Sequence, residues 1–271
     1  MHLKRWLTSL VALPLLVLLI FKGGVASFSI FMGIIMVLAV WEYTRIISGE
    51  ADAAHLNPLS FVNILSGMAL IWAASTRHPA LFPLILSFSL ILTGFISLRR
   101  FQYDADISRK AAFVALGGIY IPLAMAYAVM IRQEPSGGQW VFFIACVIFA
   151  GDTGAYYAGT YFGTHKLCPS VSPGKTIEGA IGGLAANIGI GVVYKLLFLP
   201  AVSMTESLIF CLAIGSAGQI GDLFESVLKR SAGVKDSGNI LPGHGGILDR
   251  IDAILFALPV AYFLKVFYLT P

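Results

Sequence analysis

The sequence predicts an all-α, polytopic membrane protein with about nine transmembrane helices. Two observations predict it. Of 271 residues, 58% are apolar and 12% charged, with a mean hydropathy of +0.85; soluble domains average roughly 45–50% apolar. Apolar runs of about 20 residues, the length that crosses a bilayer, also recur along the whole chain.

The first run, 6–21, follows Lys4 and Arg5. It reads as a retained helix, because no small-x-small cleavage site follows it. The second run is 25–47, the third 59–74 and the fourth 81–98. After the polar segment 99–110 comes a fifth run, 111–131, and then a short loop containing Pro135. The sixth run is 140–162, the seventh 176–199, the eighth 206–228 and the ninth 248–269. Helices one to five (1–138) and six to nine with their loops (139–271) form one integral unit. Cys146, Cys168 and Cys211 have no pair spacing and suggest neither a disulfide framework nor a zinc site.

Nine spans place the termini on opposite sides. With the N-terminus cytoplasmic, 13 of the 18 Lys and Arg fall on the cytoplasmic side, leaving Lys22, Arg77, Arg132, Lys195 and Lys265 outside. Positive residues favour the cytoplasmic side, so the N-terminus is expected inside and the C-terminus outside. In such a chain a net charge of +4 signals no nucleic-acid partner.

The sparse charge is concentrated in 226–252, which holds Lys229, Arg230, Lys235, Arg250, Asp236, Asp249, Asp252 and His244. Gly238, Gly243, Gly245 and Gly246 let a ligand approach the backbone closely. Basic groups neutralise phosphate, and carboxylates offer hard oxygen ligands to Mg²⁺. Asp222, Glu225, Ser226 and Lys229 extend the pattern along one helix face. An ionised Asp at the centre of a spanning helix costs roughly 2.5–3.5 kcal/mol. Asp152 and Asp222 are therefore expected to face a polar cavity. Glu42 in the second run, with Arg45 three residues on, reads equally as a further cavity-facing acid or as an interfacial ion pair. Gly179/Gly183, Gly182/Ala186 and Ala217/Gly221 have the spacing that lets helices pack closely in lipid.

The loop after the sixth run contains Ser172, Lys175 and Thr176. Gly174-Lys175-Thr176 fails as a P-loop, since Pro169 stands where its first glycine belongs. Lys175 and Thr176 still precede a helix N-terminus, where unpaired N–H groups favour an anion. Glu178 sits in the first turn, placed to cap the helix or bind metal.

Three segments resemble the phosphatidate cytidylyltransferases, also called CDP-diacylglycerol synthases. The longest runs Ser226-x-x-Lys229-Arg230, Lys235-Asp236, Pro242-x-His244-Gly245-Gly246-x-x-Asp249-Arg250-x-Asp252. The others are Asp152-Thr-x-Ala155-Tyr156-x-x-Gly159 and Ser172-Pro173-x-Lys175-Thr176-x-Glu178-Gly179. The resemblance covers about the C-terminal half and implies Mg²⁺-dependent conversion of CTP and phosphatidic acid to CDP-diacylglycerol and pyrophosphate, within membrane lipid. Asp222 and Asp249 are then the first choices as metal ligands, for one ion or two, with Asp152, Asp236 and Asp252 behind them. Lys229, Arg230 and His244 join Asp222 and Asp249 as catalytic candidates. Ser172, Lys175, Thr176, Ser226, Lys235, Asp236, Gly245, Gly246 and Arg250 are candidates for substrate binding. The site is expected to face the cytoplasm, with a bacterial inner membrane favoured. The alternatives are a CTP-dependent polyprenol or phytol kinase and an ion-coupled transporter; clustering of polar residues in one half argues against transport. The sequence leaves a homodimer open.

Overall fold

A computed structural model describes residues 14–48, 58–240 and 245–269. It is helical almost throughout, and seven of the described helices are long and apolar enough to cross a membrane. Of the nine expected spans, the first lies partly outside the described residues, which are helical over 14–22. The ninth is the helix Leu248–Phe267, which carries Asp249, Arg250, Asp252 and Lys265 and is not among the seven.

The chain divides into two compact units, 1–134 with 231–250, and 135–230 with 251–271. The first contains α1 (Val25–Ser48), α2 (Pro58–Ser75), α3 (Phe82–Arg100) and α4 (Ile107–Gln133). Phe28, Met36, Tyr43, Leu59, Leu70 and Ile121 are buried in its core. Polar side chains tie α1 and α2 to the backbone of α4: Tyr43 donates to the Phe113 carbonyl and Asn63 to the Val114 carbonyl, both at 2.9 Å. Pro122 lacks an N–H to donate, and the helix widens there into a π turn, Ile119–Leu123, before resuming. In the first turn of α4, the Lys110 ammonium bonds the carboxylate of Asp104 just before the helix at 2.9 Å and holds its pKa below the ordinary value.

The second unit contains α5 (Gly137–Phe162), a hairpin of β1 (Lys166–Cys168) and β2 (Ser172–Thr176), α6 (Ile177–Phe198), α7 (Met204–Ser231) and most of α8 (Leu248–Phe267). The hairpin replaces the expected loop, and its antiparallel strands pair Lys166 with Thr176 and Cys168 with Ser172. Ser203 and Glu206 close a capping box at the start of α7, each accepting from the other's backbone N–H. At one end of the core, Trp140, Phe143, Tyr194 and Phe210 stack on one another, and Lys265 lies over Trp140.

The expected small-residue packing is present. A Cβ on Gly182 would meet Ala158 at 2.2 Å, one on Gly154 would meet Ala186 at 2.5 Å, and one on Gly179 would meet the Ala155 carbonyl at 2.9 Å. The contact between α5 and α6 is thus nearly backbone to backbone. Buried Asn187 of α6 is wedged between Gly151 of α5 and Gly215 of α7; a Cβ would come within 2.2 Å and 1.9 Å of its amide.

Gly215→Ala should therefore lower the thermal unfolding midpoint in detergent, with a cost of about 1–3 kcal/mol. Gly189→Ala, on the same helix as Asn187 but with nothing within 4 Å of its Cβ, should leave the midpoint level or raise it.

Candidate active site

The second unit holds a pocket of about 490 Å³. Asp152 and Tyr156 enter it from α5, Ser172, Lys175 and Thr176 from the hairpin, and Gln219 and Asp222 from α7. Glycine lets three elements converge here: Cβ atoms on Gly159 and Gly179 would each meet the Thr176 hydroxyl at 3.0 Å. Thr176 is buried and caps α6, its Oγ1 accepting from the Gly179 N–H at 3.1 Å. Gln219 is held by donating to the Ala180 carbonyl at 2.9 Å.

Lys175 bonds the half-buried Asp222 carboxylate at 2.6 Å. Among the described residues that line the pocket it is the one cation, against two carboxylates, Asp152 and Asp222. The lining is therefore net negative. An anionic ligand enters such a pocket readily only with a counter-cation, and Lys175 must exchange Asp222 for that ligand to bind it.

The donor set fits such a cation. Mg²⁺ prefers oxygen ligands and commonly takes one or two carboxylates with phosphate oxygens and water. Among the described residues no three His, Cys, Asp or Glu side chains gather to hold a metal by themselves. Asp152 and Asp222 supply two carboxylates in a pocket large enough for a phosphate ligand.

Glu178 is not among the residues lining the pocket; its carboxylate bonds its own N–H in the first turn of α6 and also reaches back beyond the helix. Its carboxylate accepts from the Thr164 N–H and hydroxyl and the His165 N–H, and bonds His165 Nδ1 at 2.6 Å. It thereby ties the end of α5 to the start of α6, fixing the turn into the hairpin.

Beyond the pocket, α7 carries Glu225, fully buried and paired with Lys229. Asp252 of α8 hydrogen-bonds Glu225 and lies within electrostatic reach of Asp222 and Lys229. Arg230 reaches back to the Val171 carbonyl at 3.2 Å, pinning the hairpin's turn. Ser226 is half-buried beside this group on α7.

The remaining candidates lie in the first unit. Lys235, Asp236 and Arg250 are exposed. The Asp249 carboxylate accepts from the N–H groups of Ser237 (3.0 Å) and Gly246 (2.9 Å). Gly245 has φ +80°, a conformation strained for other residues. His244 lies outside the described residues.

The largest departure from expectation is Glu42. It is not paired with Arg45, which lies over the Trp41 ring instead. Glu42 is fully buried and accepts from the Ser237 hydroxyl (3.0 Å) and from the N–H groups of Ile247 (3.0 Å) and Leu248 (2.8 Å). An acid deep in an apolar run was the available signal; Arg45 one turn away suggested the wrong partner.

The sequence pattern of the cytidylyltransferase family matches residues 3–268. The chain belongs to that family. A Staphylococcus aureus (strain COL) relative is 34% identical over an alignment 269 positions long that covers 94% of this chain and 96% of the relative. One from Staphylococcus saprophyticus is 32% identical with the same coverage. A Bacillus subtilis (strain 168) relative is 44% identical over 156 residues, 57% of this chain and 58% of the relative. All three are named phosphatidate cytidylyltransferase.

The pocket's charge balance yields a direct test with inorganic pyrophosphate. In EDTA, Asp222→Asn should bind pyrophosphate more tightly than the wild type, because one repelling carboxylate is gone. With Mg²⁺ present the order should reverse. Isothermal titration in detergent checks both.

Proposed function

We propose that this integral membrane enzyme transfers the cytidylyl group of CTP to phosphatidic acid, releasing pyrophosphate and forming CDP-diacylglycerol. The single observation that carries the reading into the structure is the pocket where Lys175 meets Asp222 beside Asp152. It combines a cation-binding edge with an anion-binding lysine on a membrane helix bundle. The full-length match to relatives named for this activity supplies the substrates.

In the proposed reaction a phosphate oxygen of phosphatidic acid attacks the α-phosphorus of CTP, and the bond to pyrophosphate breaks in line. A phosphomonoester has its second pKa near 6, so the attacking group is already ionised at neutral pH and needs no strong base. The difficulty is to bring two anions together; positioning and charge neutralisation supply most of the rate. Lys175 leaves Asp222 and takes up phosphate charge. Asp152 and Asp222 would hold the divalent cation in this pocket; Asp249, a separate metal-ligand candidate, belongs to the first unit. When bound, that cation neutralises phosphate charge at the reacting centre. Thr176 and Gln219, each fixed by a backbone bond, shape the pocket around the ligand. Ser172 is a further substrate contact on the hairpin.

We infer that the N-terminus is cytoplasmic and that the site opens to the cytoplasm, where CTP is available. The distribution of Lys and Arg supports this orientation, and the bacterial relatives support an inner-membrane location.

Purified protein given phosphatidic acid, Mg²⁺ and CTP should move an α-phosphate label, and no γ-phosphate label, into lipid. Transfer of the γ label to a polyprenol instead would establish a lipid kinase and overturn the reading. Asp222→Asn and Asp249→Asn should each reduce turnover by orders of magnitude while the protein stays folded; near-normal turnover would remove that residue from the chemistry.

A further inference from the structure

A charged side chain in the apolar part of a helix bundle is costly unless its charge is fully used. The Glu42 carboxylate sits on the buried side of α1, and its three donors all belong to one stretch, 237–248. Two are the backbone N–H groups at the start of α8, where the helix dipole favours a negative charge. The third is the Ser237 hydroxyl.

The bonds continue past Glu42. Ser237 Oγ, while donating to Glu42, accepts from the Asp249 N–H at 3.3 Å. The Asp249 carboxylate accepts in return from the Ser237 N–H and the Gly246 N–H. The chain Glu42–Ser237–Asp249 thus closes a ring around 237–249. The backbone is drawn in so far that Cβ atoms on Gly238 and Gly246 would each meet a Glu42 oxygen at 2.5 Å. Asp249 is oriented by this ring, and Arg250 leaves from the helix turn that Glu42 anchors.

We propose that Glu42 is a positioning residue for cytidylyl transfer. It touches no substrate. It sets the backbone of 237–248, and through Ser237 it sets the orientation of the Asp249 carboxylate. The catalytic part rests on the function proposed above; the structural part does not. The anchor thus lies on the second apolar run, 195 residues before Ser237, the first residue of the stretch it holds.

The test uses the full chain in detergent with Glu42→Gln, Ser237→Ala and Tyr43→Phe. Gln keeps the shape of Glu but turns one acceptor into a donor facing N–H groups. Ser237→Ala removes the hydroxyl that links Glu42 to Asp249 and leaves the two backbone donors to Glu42 in place, and it serves as the decisive variant where Glu42→Gln does not fold. Tyr43→Phe removes a neighbouring buried hydrogen bond on the same helix without touching the stretch. The first two should lower kcat about 10- to 100-fold, the range for residues that orient a ligand. Both KM values should stay within about threefold and Tyr43→Phe within about twofold of wild-type kcat. Amide hydrogen exchange in the first two variants should rise in 231–250 and stay unchanged in 135–230. Wild-type kcat in folded Glu42→Gln and Ser237→Ala would overturn the proposal, as would an equal loss in Tyr43→Phe. If the wild type transfers no cytidylyl group, the functional reading fails alone; the exchange measurement still decides the clamp, and unchanged exchange in 231–250 would overturn it.

Discussion

A buried carboxylate must find donors enough to replace water, and Glu42 meets that constraint with one hydroxyl and two backbone N–H groups from a single distant stretch. Much of the first unit follows from this. Ser237 is buried because its hydroxyl is shared between Glu42 and the Asp249 N–H. Gly238 and Gly246 have no room for a side chain. The start of α8 is fixed by the carboxylate on its first N–H groups. A stretch rich in glycine and charge, which by composition reads as a mobile loop, is instead tied to a spanning helix.

The second unit solves a different problem. Its proposed ligand is anionic, yet among the described residues that line the pocket two of the three charged groups are acids. Lys175 is paired with Asp222, and in the proposed reaction it exchanges that partner for phosphate. This arrangement holds the lysine in place. In the proposed reaction anion binding then depends on a divalent cation, and a polyphosphate without one is repelled. The close packing of α5 on α6, made by glycine and alanine, brings Asp152 and the hairpin to the same pocket.

Features encoded by local spacing were legible in the sequence. Hydropathy located seven of the spans now seen as helices, and the small-residue spacing of α6 marked the face that meets α5. Asp152, Lys175, Thr176 and Asp222 were singled out separately, and the structure brings them to one pocket. The hairpin was not legible: its strands are three and five residues long, and Pro173 and Gly174 in β2 argue against a strand. The main partners of Glu178 and Glu42 were not legible for a common reason. Each carries obvious chemistry, but its partners are set by tertiary structure, 13 or 14 residues away for Glu178 and 195 to 206 for Glu42. Local neighbours such as Arg45 offered a plausible pairing that the fold does not use.

The account stands most directly on where the triphosphate sits. An experimental structure of the full chain with Mg²⁺ and a CTP analogue that resists cleavage at the α-phosphate would decide it. The account predicts the phosphates in the pocket bounded by Asp152, Lys175 and Asp222, with Lys175 moved from Asp222 onto phosphate oxygen. Phosphates bound elsewhere, with the Lys175–Asp222 pair intact, would contradict it.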